Sequence, residues 1–237
     1  MIRRLFSLVP LWHIYIGLRL LPDMSLSLPG LVVAILLLAA STVMIPLAMM
    51  SRSMARRPLA DRIAWGGFLL MGLFSSMLVL TILRDIVLLA GAIGGWWLDR
   101  DIDTRGLRVI SAVAVPLVAL LASIAGFVNA RRIAAVRRVD VALQGLPQAL
   151  QGYTIAQLTD VHVGPTIKRG TVAGIVEAVN ALDVDCVALT GDMVDGSVHD
   201  LASHMEPLSR LRARDGCYIV TGNHEYYSGV HAWLQAF

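Results

Sequence analysis

Three short stretches of the sequence concentrate side chains able to bind a cation and move a proton: Asp160-Val161-His162, Gly191-Asp192-Met193-Val194-Asp195 and Gly222-Asn223-His224-Glu225. Asp160 and His162 are two residues apart, so an extended backbone sends both side chains to one face, where a carboxylate and an imidazole can share a cation. Val161 and Val163 would then point into the core. Asp192 follows a glycine, whose missing side chain lets backbone and metal approach closely, and its two carboxylate oxygens can bridge two metals. Asn223 adds a neutral amide oxygen suited to a hard cation, with His224 beside it. Oxygen and nitrogen donors without thiolate fit Mn, Fe, Zn or Mg rather than a structural zinc site. Each motif alone is common; their order along the chain carries the reading.

The elements that must position these groups can be read from the apolar pattern. Each motif follows a β-prone run, at 153–159, 184–190 and 217–221, and strand ends are where an α/β domain converges polar groups from distant parts of the sequence. Helices are predicted between them, over 171–182 with Val172, Ile175, Val176 and Val179 on one side, and over 199–212. Strand–helix–strand–helix–strand implies an α/β layer structure with parallel central strands. Upstream, Val139, Val141 and Leu143 alternate with Asp140 and Ala142, which predicts a first strand within 136–143, closed by Gly145-Leu146-Pro147. His199, His204 and His231 lie outside the motifs and read as helix-surface residues.

The rest of the chain has a different character. Of its 237 residues, 57% are hydrophobic and only 16% charged, with a mean hydropathy of +0.69. Residues 1–150 carry a net charge of +8 and residues 151–237 a net charge of −5. The arginines flank apolar spans instead of forming a patch with aromatics, so no nucleic-acid partner is expected. Cys186 and Cys217 lie in or beside predicted strands and read as small buried hydrophobes, with no disulfide framework.

Four membrane spans are predicted, at about 5–21, 31–50, 63–83 and 107–128, each near the ~20 residues needed to cross the hydrocarbon. The first carries Pro10, His13 and Arg19, with the two polar side chains expected to snorkel to the interface. Gly66, Gly67 and Gly72 give the third a small-residue side for close helix packing. After it, Arg84-Asp85 precedes another apolar run to Leu98, which either prolongs the helix or turns along the interface, where Trp96 and Trp97 belong. Arg84 and Asp85 point about 100° apart on a helix and read as a charge step near the membrane boundary rather than a transport site. Basic segments alternate, with Arg3 and Arg4, then Arg52, Arg56, Arg57 and Arg62, then Arg131, Arg132, Arg137 and Arg138. The positive-inside rule then puts the N-terminus and the motif-bearing half in the cytoplasm, as a multi-pass protein of the cell inner membrane. The organisation expected is a membrane region over 1–130, a connector and first strand over 131–150, and a catalytic-type domain over 151–237.

The motifs in context resemble the calcineurin-like metallophosphoesterase superfamily: Ile155-Ala156-Gln157-Leu158-Thr159-Asp160-Val161-His162-Val163-Gly164-Pro165, Ala188-Leu189-Thr190-Gly191-Asp192-Met193-Val194-Asp195-Gly196, and Gly222-Asn223-His224-Glu225-Tyr226-Tyr227-Ser228-Gly229. With its apolar N-terminal half, the chain resembles the membrane-anchored bacterial branch. The resemblance implies an N-terminal transmembrane helical region followed by a truncated α/β domain of a family whose fold is a β-sandwich flanked by helices. It implies two divalent metal ions, with Asp160 and His162 on the first, Asp192 bridging and Asn223 on the second. His224 would contact the phosphate and assist the leaving group, with Asp195 in a supporting role behind the ligands and Glu225 orienting His224. The implied activity is two-metal hydrolysis of a phosphodiester or pyrophosphate, and a membrane anchor favours a lipid-linked substrate. The family's later isolated His and Gly-His-x-His are absent before Phe237, so the sequence reads as a fragment, with weak metal binding and little hydrolysis expected of it. The alternative is a non-catalytic membrane protein whose degenerate domain serves interaction.

Overall fold

The computed structural model describes residues 2–51, 54, 56–98 and 104–237. Arg52, and with it part of the orientation argument, lies outside the described residues. The chain divides into two compact units, Met1–Arg131 and Arg132–Phe237.

The first unit is helical: α1 (Ile2–Leu20), a 3-10 turn (Leu21–Met24), α2 (Leu28–Met50), α3 (Arg57–Trp97) and α4 (Arg105–Ala130). Among the described residues three helices are long and apolar enough to cross a membrane, at Leu28–Met50, Pro58–Trp97 and Arg105–Ala130. The first of the four expected spans, at 5–21, forms the helix α1 but is not one of them, because Arg3, Arg4 and Arg19 all fall within the 19 residues of that helix. It packs by Val9, Ile16 and Leu20, which are buried. His13 does not snorkel: it is buried against the Phe74 ring at 4.6 Å, with its Nδ1 2.7 Å from the Val9 carbonyl.

The apolar run after Arg84-Asp85 prolongs the helix. α3 is unbroken over 41 residues, about 61 Å at 1.5 Å per residue. The charge step is also more than a boundary marker. Arg84 is buried and donates to Ser111 Oγ at 2.9 Å, to the Arg19 and Arg108 carbonyls at 3.1 Å each, and to Asp23. Asp85 accepts from Tyr15 at 2.7 Å and from Arg19 at 2.7 and 3.0 Å. The pair approaches directly as well, Arg84 Nη1 lying 3.5 Å from Asp85 Oδ1, because long side chains can bend across the angle between their helical positions. These groups link α1, the 3-10 turn, α3 and α4, and every guanidinium nitrogen of Arg84 is satisfied.

Of the small residues on α3, Gly67 makes the close approach: a Cβ there would lie 2.4 Å from the Met44 carbonyl oxygen of α2. Gly67→Ala must therefore separate α2 from α3, and is expected to cost about 1–3 kcal/mol. Gly72, with open space around it, serves as the control. Thermal unfolding in detergent checks this, and equal midpoints for Gly67→Ala and Gly72→Ala would refute the packing argument.

The second unit begins with residues 132–147 in no regular element. The strand expected within 136–143 does not form. Its alternating valines find no strand to pair with among the described residues, and Val139 and Val141 are 77% and 70% exposed. Then follow a 3-10 turn (Gln148–Leu150), β1 (Ile155–Leu158), α5 (Arg169–Asn180), β2 (Cys186–Thr190), α6 (Val198–Met205), a 3-10 turn (Glu206–Arg210), β3 (Cys217–Val220), α7 (Asn223–Ser228) and α8 (Val230–Ala236). The single helix expected over 199–212 is tightened to 3-10 where Pro207 enters.

The three strands are parallel in the order β1-β2-β3, as the alternation of strands and helices requires. Register places Leu158 beside Leu189 and Leu189 beside Ile219. That face packs on Val172, Val176 and Val179 of α5 and on Leu201 and Met205 of α6. The opposite face is open, with Ile155, Tyr218 and Val220 each about 60% exposed, so the strands are buried on one side only. Cys217 is accordingly exposed and Cys186 half-buried, contrary to the buried positions expected of both. At the N-terminal ends of the strands Arg214 pairs with Asp185 at 2.9 Å and Asp215 at 3.2 Å. That guanidinium, with the Tyr153 hydroxyl, holds the Asp215 carboxyl below its ordinary range.

Candidate metal centre

All three motifs leave the C-terminal ends of their strands together. His162, Asp192 and His224 each offer one ligand atom within 4.8 Å of the others. The two imidazole rings stand edge to face with centroids 4.4 Å apart. Asp195 lies behind both: its Oδ1 is 3.3 Å from His162 Nδ1 and accepts a short hydrogen bond from His224 Nδ1. An ionised carboxylate only accepts, so each Nδ1 carries a proton, and in the neutral ring Nε2 is then the nitrogen with the lone pair. Asp192 uses one oxygen to accept the His224 backbone N–H at 2.8 Å.

The backbone that achieves this differs from the extended geometry expected of Asp160 and His162. Both have left-handed φ, 55° and 50°, as does Asp192 at 54°. Aspartate and histidine are among the residue types that tolerate this region best. Strand alternation therefore does not bring Asp160 toward His162. The turn does, leaving Asp160 Oδ1 3.7 Å from His162 Nε2, with the Asp160 side chain largely exposed. Val163 is fully buried, as expected of it, and bridges to Val194 in parallel fashion.

Two glycines permit the loops to meet. Gly191 has φ +91°, and a Cβ on it would lie 2.4 Å from the Gly222 backbone nitrogen. A Cβ on Gly222 would lie 2.3 Å from Asp192 Oδ1. The sequence reading of Gly191 as a close-approach residue holds, but what approaches it is the neighbouring loop.

Glu225 does not touch His224. It is 1% exposed, and its carboxylate gathers four backbone N–H groups. Oε2 accepts from Gly222 at 2.7 Å and Asp192 at 2.9 Å; Oε1 accepts from Met193 at 2.7 Å and Val194 at 3.3 Å. The group expected to orient His224 instead ties the loop after β2 to the loop after β3, and Asp195 contacts the imidazole. Asn223 is exposed at the first position of α7.

One residue escaped the sequence reading. The Tyr227 ring lies 5.7 Å from His224, edge to face, while itself 79% exposed. Its spacing of three residues from His224 on a helix is the signal that finds it. His199 is almost fully exposed and His231 exposed, in keeping with surface positions; His204 is half-buried and has a partner.

The donor set is chemically suited to a divalent ion: two imidazoles and a carboxylate, all partly shielded from solvent. Carboxylate support behind a ligating histidine is the usual means of fixing its orientation.

Comparison with known proteins agrees with this geometry. Residues 153–237 match the family model described as calcineurin-like phosphoesterase. The chain is 38% identical over 126 residues to a transmembrane protein with metallophosphoesterase domain from Danio rerio, covering 53% of this chain and 29% of that protein. The protein of the same description from Bos taurus is 39% identical over 132 residues, 55% of this chain and 30% of that one. An uncharacterized metallophosphoesterase from Helicobacter pylori (strain ATCC 700392 / 26695) is 44% identical over 80 residues, 34% of this chain and 22% of that one. The chain thus spans about three tenths or less of the length of these relatives. No solved structure matches it. The C-terminal part is thus similar to calcineurin-like phosphoesterases, and it follows three helices long and apolar enough to cross a membrane.

Proposed function

We propose that this chain serves metal-dependent hydrolysis of a phosphodiester or pyrophosphate at a membrane, with a lipid-linked substrate. The observation that carries the reading is the convergence of His162, Asp192 and His224 within 4.8 Å at the ends of three parallel strands, inside the matched segment. The lipid-linked substrate is favoured by the apolar helices that precede the domain. Several such helices also support placement in the membrane-anchored bacterial branch. The alternation of arginine-rich segments supports an inner-membrane location with this domain on the cytoplasmic side. The working division is a membrane region to residue 130, a connector over 131–150 and the domain from 151, supported by the separation of the two units at Arg131.

Asp160 and His162 would hold one ion, Asp192 would bridge two, and Asn223 would take the second. The ions, Mn, Fe, Zn or Mg, supply when bound an acidified water and positive charge beside the phosphoryl oxygens. The chain's own residues do the rest. Asp195 holds the His224 Nδ1 proton and so fixes which nitrogen faces outward. His224 Nε2 is then the atom to contact the phosphate and, when protonated, to deliver a proton to the leaving oxygen. His224 also belongs to the group whose ligand atoms converge, which keeps it beside the ions that would hold the phosphate. Glu225 supports the assembly by holding the Asp192 loop against the His224 loop.

The test is Mn2+ titration of the purified full chain by calorimetry. Saturable binding is expected, weakened at least tenfold in Asp192→Ala. Any Mn2+-dependent cleavage of bis-p-nitrophenyl phosphate should fall with it. Equal Mn2+ affinity in chain and variant would remove Asp192 from the site and the reading with it.

A further inference from the structure

We propose that residues 131–143 form a strap that docks on an anionic phospholipid surface. The inference goes beyond the phosphoesterase reading and does not depend on it. Every residue from 131 to 143 is exposed, and none belongs to a helix or strand. The strap holds Arg131, Arg132, Arg137 and Arg138 against one acid, Asp140. Among the described residues Arg132, Arg137 and Arg138 have no ion pair. Val136 lies between the two arginine pairs and Val139, Val141 and Leu143 follow them, from 51% to 77% exposed. A fully wetted strip of this composition is unfavourable in water. It suits the headgroup region, where guanidinium groups meet phosphate and short apolar side chains reach the acyl boundary.

Continuity and charge decide what occupies the strap. It begins one residue after α4, a helix long and apolar enough to cross a membrane, so it starts where the bilayer surface is. Arg131 is already turned to that level, its guanidinium 5.4 Å over the Trp65 ring. At its first turn into the C-terminal unit the strap is held by Ile133, whose Cδ1 lies where a side chain on Gly174 of α5 would fall, at 2.6 Å. A β-partner for the strap would need only the valines. The clustered arginines call for negative charge, and a basic stretch beside a membrane helix finds it in anionic lipid.

The experiment places an environment-sensitive fluorophore on Val139→Cys in the full chain with Cys186→Ala and Cys217→Ala, reconstituted in nanodiscs. One set is of phosphatidylcholine, the other of equal parts phosphatidylcholine and phosphatidylglycerol. In the anionic discs blue-shifted emission and strong quenching by headgroup-proximal spin-labelled lipid are expected, both lost in neutral discs and reduced by high salt. Arg132→Gln/Arg137→Gln/Arg138→Gln should lower the apparent docking constant by roughly tenfold or more. The lipid and salt comparisons need no arginine variant, so they stand even where that variant misfolds. Identical emission and quenching in neutral and anionic discs would overturn the proposal. So would a fluorophore shielded equally in detergent, since that is the signature of a strand paired within the protein.

Discussion

Glu225→Ala is expected to unfold the C-terminal unit under conditions where the parent chain is fully folded. The substitution leaves four backbone N–H groups, on Gly222, Asp192, Met193 and Val194, without their acceptor. Met193 and Val194 are completely buried, so water cannot replace the lost carboxylate there. An unsatisfied buried donor costs about 1–3 kcal/mol, and the set together roughly 3–5 kcal/mol. That is comparable to the whole stability of a small unit. The same carboxylate offsets the left-handed φ of Asp192 and the close contact of Gly191 with Gly222. Glu225→Gln keeps one acceptor oxygen and should lose about half as much. Limited proteolysis across a urea series measures this on the C-terminal unit alone, and an alanine variant within about 1 kcal/mol of the parent would show the clamp to be incidental.

The second large effect belongs to Asp195. One of its oxygens holds both His162 and His224 by Nδ1, so Asp195→Asn disturbs two site imidazoles at once. The asparagine oxygen can accept from one of them weakly, and its amide can turn a donor toward a ring nitrogen and favour the wrong tautomer. We expect metal-dependent turnover to fall by roughly 10²–10⁴, the range for loss of a positioned acid–base group. The pH–rate profile should change shape along with the maximum. Imidazole nitrogen resonances offer a readout independent of activity: in the parent both His162 and His224 should be protonated at Nδ1, and in Asp195→Asn at least one should not. A variant with unaltered tautomers would mean that the two histidines are oriented by something else.

These two residues also mark where sequence reasoning was accurate and where it fell short. Asp195 and Glu225 were both expected to support the site; Asp195 does stand behind the two imidazoles, whereas Glu225 supports the loops and not His224. For Glu225 the expectation came from its place as the last acid of the Gly222-Asn223-His224-Glu225 motif, read by resemblance. In the fold a residue at the third position of α7 points back to the helix start, so its carboxylate reaches Gly222 and the loop beyond. Asp195 lies 29 residues from His224, a separation across which no local rule predicts which oxygen meets which nitrogen. In the membrane half, similarly, the apolar runs located α2, α3 and α4 directly, because crossing hydrocarbon is a requirement on composition and length. The role of Arg84 was not legible there, since its partners Asp23 and Ser111 come from the preceding turn and the following helix.

What the sequence determined by itself is the set of chemical groups and the elements that carry them. Apolar periods place β1, β2 and β3 before the motifs, and those strands did form in parallel, in order, with the motif residues at one end. Donor types alone pointed to a hard or borderline divalent ion. Tertiary structure decided the rest: that Asp160, His162 and Asp192 take left-handed backbone, that two glycines let neighbouring loops touch, and that a strand pattern at 136–143 finds no partner among the described residues. The reason is common to all three. Side-chain period is a local property, whereas loop conformation and strand pairing are set by what the remainder of the fold brings within hydrogen-bonding distance.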